Sequence, residues 1–144
     1  MNLEVEKGKL YVIIGAVGSG KSSLLSSILG EINLLNGSIR VDGSVSYASQ
    51  EPWVFGASVR QNIIFGLEYD ENRYYRTVKA CALLSDFKQF PQGDKTVVGE
   101  RGSSLSGGQK ARINLARAVY RQADVYLLDD PLSAVRILKT QLMT

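Results

Sequence analysis

Gly15-Ala16-Val17-Gly18-Ser19-Gly20-Lys21-Ser22 decides the fold, because it matches G-x-x-x-x-G-K-[ST] at every fixed position. Glycines at this spacing let successive backbone N–H groups curl round an anion, and a helix behind them aims its positive end at the same place. In that pattern Lys21 would bridge β- and γ-phosphate oxygens, and the Ser22 hydroxyl would bind Mg2+. A chance glycine turn before a helix would carry the same letters, but the flanks argue against it. Residues 9–14 (Lys-Leu-Tyr-Val-Ile-Ile) are an apolar, β-rich run that reads as a buried strand. Over 22–29, Leu24, Leu25 and Ile28 recur at the spacing of an amphipathic helix. Strand, glycine loop and helix open many phosphate-binding α/β folds.

Beyond this unit, residues 38–41 and 44–48 read as two strands joined in a hairpin across Asp42-Gly43. Gln50-Glu51-Pro52-Trp53 then breaks regular structure. Ser58 would cap a helix through Phe65, and Asp70 a longer one through Phe87 with Tyr75, Val78 and Ala82 as its buried stripe. Residues 91–104 read as loop. A last helix would start near Ser106 with Ile113, Ala116 and Tyr120 on one face, feeding a buried strand over 125–128. There are no internal repeats, low-complexity tracts or linkers, and the length of 144 residues fits one domain or part of one.

Two further elements carry chemistry. Val125-Tyr126-Leu127-Leu128 ends in Asp129, and a carboxylate at the end of a buried strand is costly unless paired, metal-bound or exposed at the sheet edge. Ligands of open α/β sheets gather at the carboxyl ends of the strands, so Asp129 would reach the same metal as Ser22. Read alone, the run is a strand meeting a turn. Leu105-Ser106-Gly107-Gly108-Gln109 has the S-x-x-Q spacing of a capping box. The paired glycines also expose the first N–H groups, which makes a second anion-binding helix end. One nucleotide seldom needs two such ends, whereas a head-to-tail pair of domains would use both.

Composition removes other chemistries. The chain has no histidine, which excludes imidazole-dependent catalysis and most zinc sites. The single Cys81 excludes an internal disulfide and reads as a small buried residue. No apolar run approaches the roughly 18 residues of a membrane span, and no signal-peptide pattern follows Met1. Net charge is a mild +3, yet residues 106–122 hold Lys110, Arg112, Arg117 and Arg121 with no acid. Such a segment meets phosphates or is a solvated helix face.

In order, the loop at 15–22, Gln50, the Leu105 to Gln109 pentapeptide and Asp129 resemble the Walker A, Q-loop, signature and Walker B motifs of ABC transporter ATPases. The resemblance runs from about Leu3 to Val135. Gln50-Glu51-Pro52-Trp53-Val54-Phe55 and the stretch from Leu127 to Val135 resemble the first cassette of the multidrug-resistance-associated, subfamily C exporters. The implied fold is an α/β P-loop NTPase with a RecA-like core and an ABC helical subdomain. It would comprise a partial cassette over 1–135, with the subdomain at about 58–105, and a divergent tail over 136–144.

The resemblance implies ATP and Mg2+ as ligands. Nucleotide would be held by Gly15, Ala16, Val17, Gly18, Ser19, Gly20, Lys21, Ser22 and the adjoining Ser23. Ser106, Gly107, Gly108 and Gln109 would face the nucleotide of an opposing cassette. Ser22, Gln50 and Asp129 would serve the metal, and Gln50 and Asp130 the hydrolytic chemistry, with Gln50 linking the γ-phosphate to a membrane domain. The implied partners are a second cassette and the transmembrane domains of an exporter, at the cytoplasmic face of a membrane. No nucleic acid is expected, and the chain alone would be soluble or peripheral. Trp53 is expected as a packed loop aromatic.

Departures from the pattern bear on turnover. The family's catalytic base after the Walker B aspartate is glutamate; here it is Asp130, one methylene shorter. A misplacement of about 1 Å can cost on the order of 100-fold in rate. Similar subfamily C cassettes also carry Asp here, bind ATP and hydrolyse it poorly. Asp130 also fits the role of a partner to Asp129. The family's adenine-stacking aromatic has no counterpart in residues 1–14, with Tyr11 too close to the loop. After Val135 an aspartate and a later histidine are expected, where Arg136 and an unrelated tail stand. The sequence therefore reads as a cassette incomplete at its C-terminus that binds ATP but hardly hydrolyses it. Two other readings stay open: a soluble ABC-type ATPase without a membrane partner, and a truncated, non-enzymatic binding module. The interval between Ser22 and Ser106 carries no long heptad array, against the chromosome-maintenance class.

Overall fold

A computed structural model describes residues 2–99 and 104–130, in two compact units divided between Asp42 and Gly43. The expectations for 131–135 and for the 136–144 tail lie outside the described residues.

In the 2–42 unit, the regular element is helix α1, Lys21–Ile28. Gly20 opens it at φ +88°, in the left-handed region. Gly30, at φ +77°, closes it: its N–H donates to the Ser27 carbonyl (3.1 Å) and that of Glu31 to Ser26 (2.9 Å). This is the paired-bond stop of a Schellman motif, which satisfies carbonyls that would otherwise be orphaned. The strand expected over 9–14 does not form, and Leu10 to Ile14 are 42–90% exposed. A strand is held by ladder partners, and the described part of this unit contains no other strand to supply them.

The 43–130 unit holds the remaining elements. Strand β1, Val45–Ala48, pairs in parallel with β4, Val125–Leu128, in the register Val45↔Val125 to Ala48↔Leu128. The ladder is anchored at its start: the Ser44 N–H and Oγ both donate to Asp124 Oδ2 at 2.8 Å. That pairing replaces the expected hairpin. Residues 38–41 form no strand, and only Gly43 of Asp42-Gly43 takes a positive φ, whereas a type I′ turn needs both.

Strand β2, Ala57–Ser58, runs straight into α2, Val59–Ile64, and pairs antiparallel with β3, Val97–Val98, inside the segment expected to be loop. Gly99 permits this. A Cβ there would lie 2.9 Å from backbone atoms of Gly56. Ser58 caps α2 in a full capping box with Gln61, as its spacing predicts.

The long helix expected from Asp70 to Phe87 is two helices, α3, Glu71–Ala80, and α4, Leu84–Phe87. Asp70 caps α3, its side chain accepting from the Arg73 N–H at 2.6 Å. Ala82 adopts φ +54°, and around it Leu83 N–H donates to Val78 O and Ala82 N–H to Lys79 O. A non-glycine residue in this position costs roughly 1–2 kcal/mol. The turn drives Leu83 to full burial, which offsets that cost by about 1.5–3 kcal/mol. The helix is also rotated from the expected phase: Tyr74, Thr77 and Val78 are buried, and Tyr75 is 54% exposed. Helix α5, Gly107–Tyr120, buries Ile113, Ala116 and Tyr120 completely, as expected. These join Val59, Ile63, Val78, Cys81, Leu83 and Val98 in the core beneath α2 and α3.

Candidate nucleotide-binding site

The glycine loop lies in the 2–42 unit. Ser19 N–H donates to Ala16 O (3.2 Å), Gly18 and Gly20 both take positive φ, and a Cβ on Gly15 would meet Ser19 Oγ at 2.6 Å. The backbone therefore curls tightly from Gly15 to Gly20, with Val17 exposed at its rim. Lys21 crosses it, Nζ donating to Gly15 O at 2.9 Å and Ala16 O at 2.8 Å. Gly20 supplies no side-chain cap, so the first N–H groups of α1 stay available to an anion, and Ser22 and Ser23 expose their hydroxyls on its first turn. These groups fit a phosphate chain: a cation, glycine amides and a helix start in a span of eight residues.

Gln50, Asp129 and Asp130 lie in the 43–130 unit, where the parallel register brings them to one sheet end. With Ala48 opposite Leu128, the chain segments entering Gln50 and Asp129 leave the strands side by side at their carboxyl ends. Asp129 N–H donates to Ala48 O (3.0 Å), and Tyr47 Oη reaches its Oδ2 at a long 3.5 Å. Gln50 is exposed and Asp129 half-buried. Asp130 is exposed at φ +47°, a conformation uncommon outside glycine and concentrated at functional sites. Within this unit, the Gln50 amide oxygen and the Asp129 carboxylate are hard oxygen donors of the kind Mg2+ prefers, and Mg2+ is commonly bound through one or two protein groups plus phosphates and water.

The pentapeptide opens α5. Leu105 is buried, while Ser106, Gly107 and Gly108 are exposed. Ser106 and Gln109 complete the capping box: Gln109 N–H donates to Ser106 Oγ (3.2 Å), and Ser106 N–H to Gln109 Oε1 (3.0 Å). A Cβ on Gly107 would meet nothing within 4 Å, and its φ is not positive.

Asn62 and Asn114, which sequence reading passed over, and Arg117, read there only as part of a basic segment, hold the Gln50 segment. Asn114 Nδ2 donates to Ser49 O (3.2 Å). Arg117 donates through Nε to Asn62 O (2.8 Å) and through Nη2 to Trp53 O and Asn62 Oδ1 (both 3.1 Å). Asn62, fully buried, accepts from Phe55 N–H and donates to Phe55 O, each at 3.0 Å. The sequence signal was there: Asn62 and Asn114 are polar residues flanked by buried isoleucine or leucine. Two of the four bases in the 106–122 segment are correspondingly reassigned, while Arg121 is exposed as on a solvated face. Arg117 turns inward, where burial pulls its guanidinium down to about 10, and Arg112 forms a two-pronged pair with Asp86 at 2.7 and 2.8 Å. Neither is a phosphate contact nor a solvated face.

Trp53 is packed on one side only. Arg117 covers one face of its indole, but the ring is 47% exposed and groups with Phe55 (37%) and Phe65 (52%) at centroid distances of 5.5–6.3 Å. Cys81 is fully buried, as expected, and burial pushes its thiol up to about 12.

Residues 1–133 match the family model described as ABC transporter. ABC transporter C family member 9 of Arabidopsis thaliana is 58% identical over 94% of this chain and 9% of its own length. The probable multidrug resistance-associated protein lethal(2)03659 of Drosophila melanogaster is 58% identical, and ATP-binding cassette sub-family C member 4 of Homo sapiens 55%, each over 94% of this chain and 10% of its own length. The chain thus spans about a tenth of the length of these curated relatives. No described helix is long and apolar enough to cross a membrane. By its matched length, its glycine loop and its LSGGQ helix start, the chain belongs to the ABC transporter family and resembles, within it, the nucleotide-binding domains of subfamily C members.

Proposed function

We propose that the chain binds Mg-ATP through Gly15 to Ser23, pairs head-to-tail with a second cassette, and couples to the transmembrane domains of an exporter. The observation that carries the first part is the curled 15–20 backbone with Lys21 Nζ at its mouth, 2.8–2.9 Å from two loop carbonyls. An ammonium held there trades those carbonyls for phosphate oxygens with little rearrangement of the loop. Ser22, Gln50 and Asp129 are the oxygen donors assigned to Mg2+. When bound, the metal offsets charge on the phosphates.

Gly107 supports the head-to-tail pairing. A Cβ there would meet nothing within 4 Å in the described chain, so this exposed helix start leaves its backbone open to close approach from outside. The exposed rings of Trp53, Phe55 and Phe65 support docking of a membrane domain, since clustered exposed aromatics mark interaction surfaces. Trp53 and Phe55 lie just before the 58–105 segment read as the helical subdomain, and Phe65 lies within it.

Turnover is proposed to be slow. Asp130 carries the shorter carboxylate where the family places its base, and a short reach is costly in an alignment-dependent step. Equilibrium dialysis against labelled ATP with Mg2+ tests binding, and a parallel phosphate-release assay tests turnover. Retained ATP with little phosphate release supports the proposal. Rapid turnover abolished by Lys21→Ala would overturn the slow-turnover part.

A further inference from the structure

The LSGGQ helix start and the Gln50 segment are tied together by α5 itself. Asn114 grips Ser49 O at one end of the 49–55 segment. Arg117 grips Trp53 O near the other end and covers its indole at 3.8 Å, while Asn62, itself bonded to Arg117, brackets Phe55 through both N–H and carbonyl. Ser49 Oγ adds a bond to Glu51 O (2.8 Å) that tightens the turn around Gln50. The segment is therefore clamped to one helix at two points about one turn apart. The same helix presents Ser106 to Gly108 roughly 9–16 Å further along its axis. A helix is stiff over that distance, so displacement at one end is displacement at the other.

We propose that Asn114 and Arg117 are positioning residues that lock the Gln50 segment to the signature helix, so that the two move as one body when nucleotide is bound. The inference rests on the reading that Gln50 meets the nucleotide. Coupling of this kind is reciprocal: what a partner does at Ser106–Gly108 is felt at Gln50 to the same extent.

Trp53 is the single tryptophan and sits in the clamp, so its emission reports the segment directly. The test uses the full chain as wild type, Lys21→Ala, Arg117→Met, Arg117→Lys and Asn114→Ala, with ATP retention measured separately by dialysis. Without nucleotide, Arg117→Met is expected to raise acrylamide quenching of Trp53 about twofold, because the guanidinium no longer covers one ring face. Arg117→Lys, which keeps a cation but not the fork, is expected to fall between. With Mg-ATP, wild type changes its Trp53 emission. Arg117→Met and Asn114→Ala retain ATP within about threefold of wild type, since the phosphate loop is untouched, yet lose that emission change. If these variants keep the full response, or wild type shows none while ATP is bound, the proposal is overturned. If wild type retains no ATP, the nucleotide reading fails instead, and unchanged quenching in Arg117→Met overturns the clamp independently. Should Arg117→Met not fold, Asn114→Ala, which removes the Ser49 bond and a long 3.4 Å bond from Arg117 Nη1 but leaves Arg117 over Trp53, gives the same decision.

Discussion

The guanidinium of Arg117 lies 3.8 Å over the indole of Trp53 and donates to the carbonyl of the same residue at 3.1 Å. One side chain thus fixes both the ring and the backbone of the segment that follows Gln50. Removing it takes a donor from the Trp53 carbonyl and from both oxygens of buried Asn62, of which Oδ1 keeps the Phe55 N–H. Arg117→Met is expected to cost about 2–4 kcal/mol, at the upper end for hydrogen bonds to a charged group. Arg117→Lys is expected to cost about half as much, because an ammonium cannot reproduce the planar fork. Urea denaturation checks both, and a loss below about 0.5 kcal/mol for Arg117→Met would show that the network is not structural.

Ala82 adopts φ +54° at the stop of α3. Glycine takes that conformation without strain, though it costs some entropy in the unfolded chain. Ala82→Gly is therefore expected to stabilise the protein by about 0.5–1 kcal/mol. A thermal or urea midpoint that falls instead would mean the turn is held for another reason.

Ser106 and Gly107 separate stability from association. Ser106→Ala loses the capping box and is expected to cost about 1 kcal/mol. Gly107→Ala meets nothing within 4 Å and is expected to leave stability unchanged or raise it by up to about 1 kcal/mol. The same Gly107→Ala is expected to weaken ATP-dependent pairing with a second cassette, measured by sedimentation with Mg-ATP. Normal pairing would remove the proposed role of this helix start.

Cys81 gives a pH signature. Its thiol is raised from about 9 to about 12 by burial, so the folded chain holds a proton that the unfolded chain releases. Stability from this group is complete below pH 9 and is lost as pH rises from about 9 to about 12, with a slope of at most about 1.4 kcal/mol per pH unit. Wild type is expected to lose stability more steeply above pH 9 than Cys81→Ala. Parallel curves would show that the thiol is not held protonated.

Much of this was legible in the residues, for local reasons. Ser58, Asp70 and Ser106 cap the helices their spacing announces, and Ile113, Ala116 and Tyr120 form the buried face of α5, because caps and helical periodicity are written within one or two turns. What failed depends on partners distant in sequence. The apolar run at 9–14 looks like a strand, but periodicity says nothing about which ladder will hold it. Asp42-Gly43 looks like a hairpin turn, but Asp124, far along the chain, anchors Ser44 into a parallel pair instead. In the candidate site, the glycine loop and the LSGGQ start were readable because each is contiguous. The clamp of Asn62, Asn114 and Arg117 was not, because its members come from two helices far apart in sequence and close on a loop, and Arg117 looks like surface charge until its partners are known.

The central claim is that the 15–23 segment binds ATP, and equilibrium dialysis of wild type against Lys21→Ala with labelled Mg-ATP tests it most directly. The two charge-assisted contacts that Lys21 Nζ can offer phosphate predict at least about a tenfold loss of affinity in the variant. Equal retention by wild type and Lys21→Ala, or no retention by wild type, would contradict it.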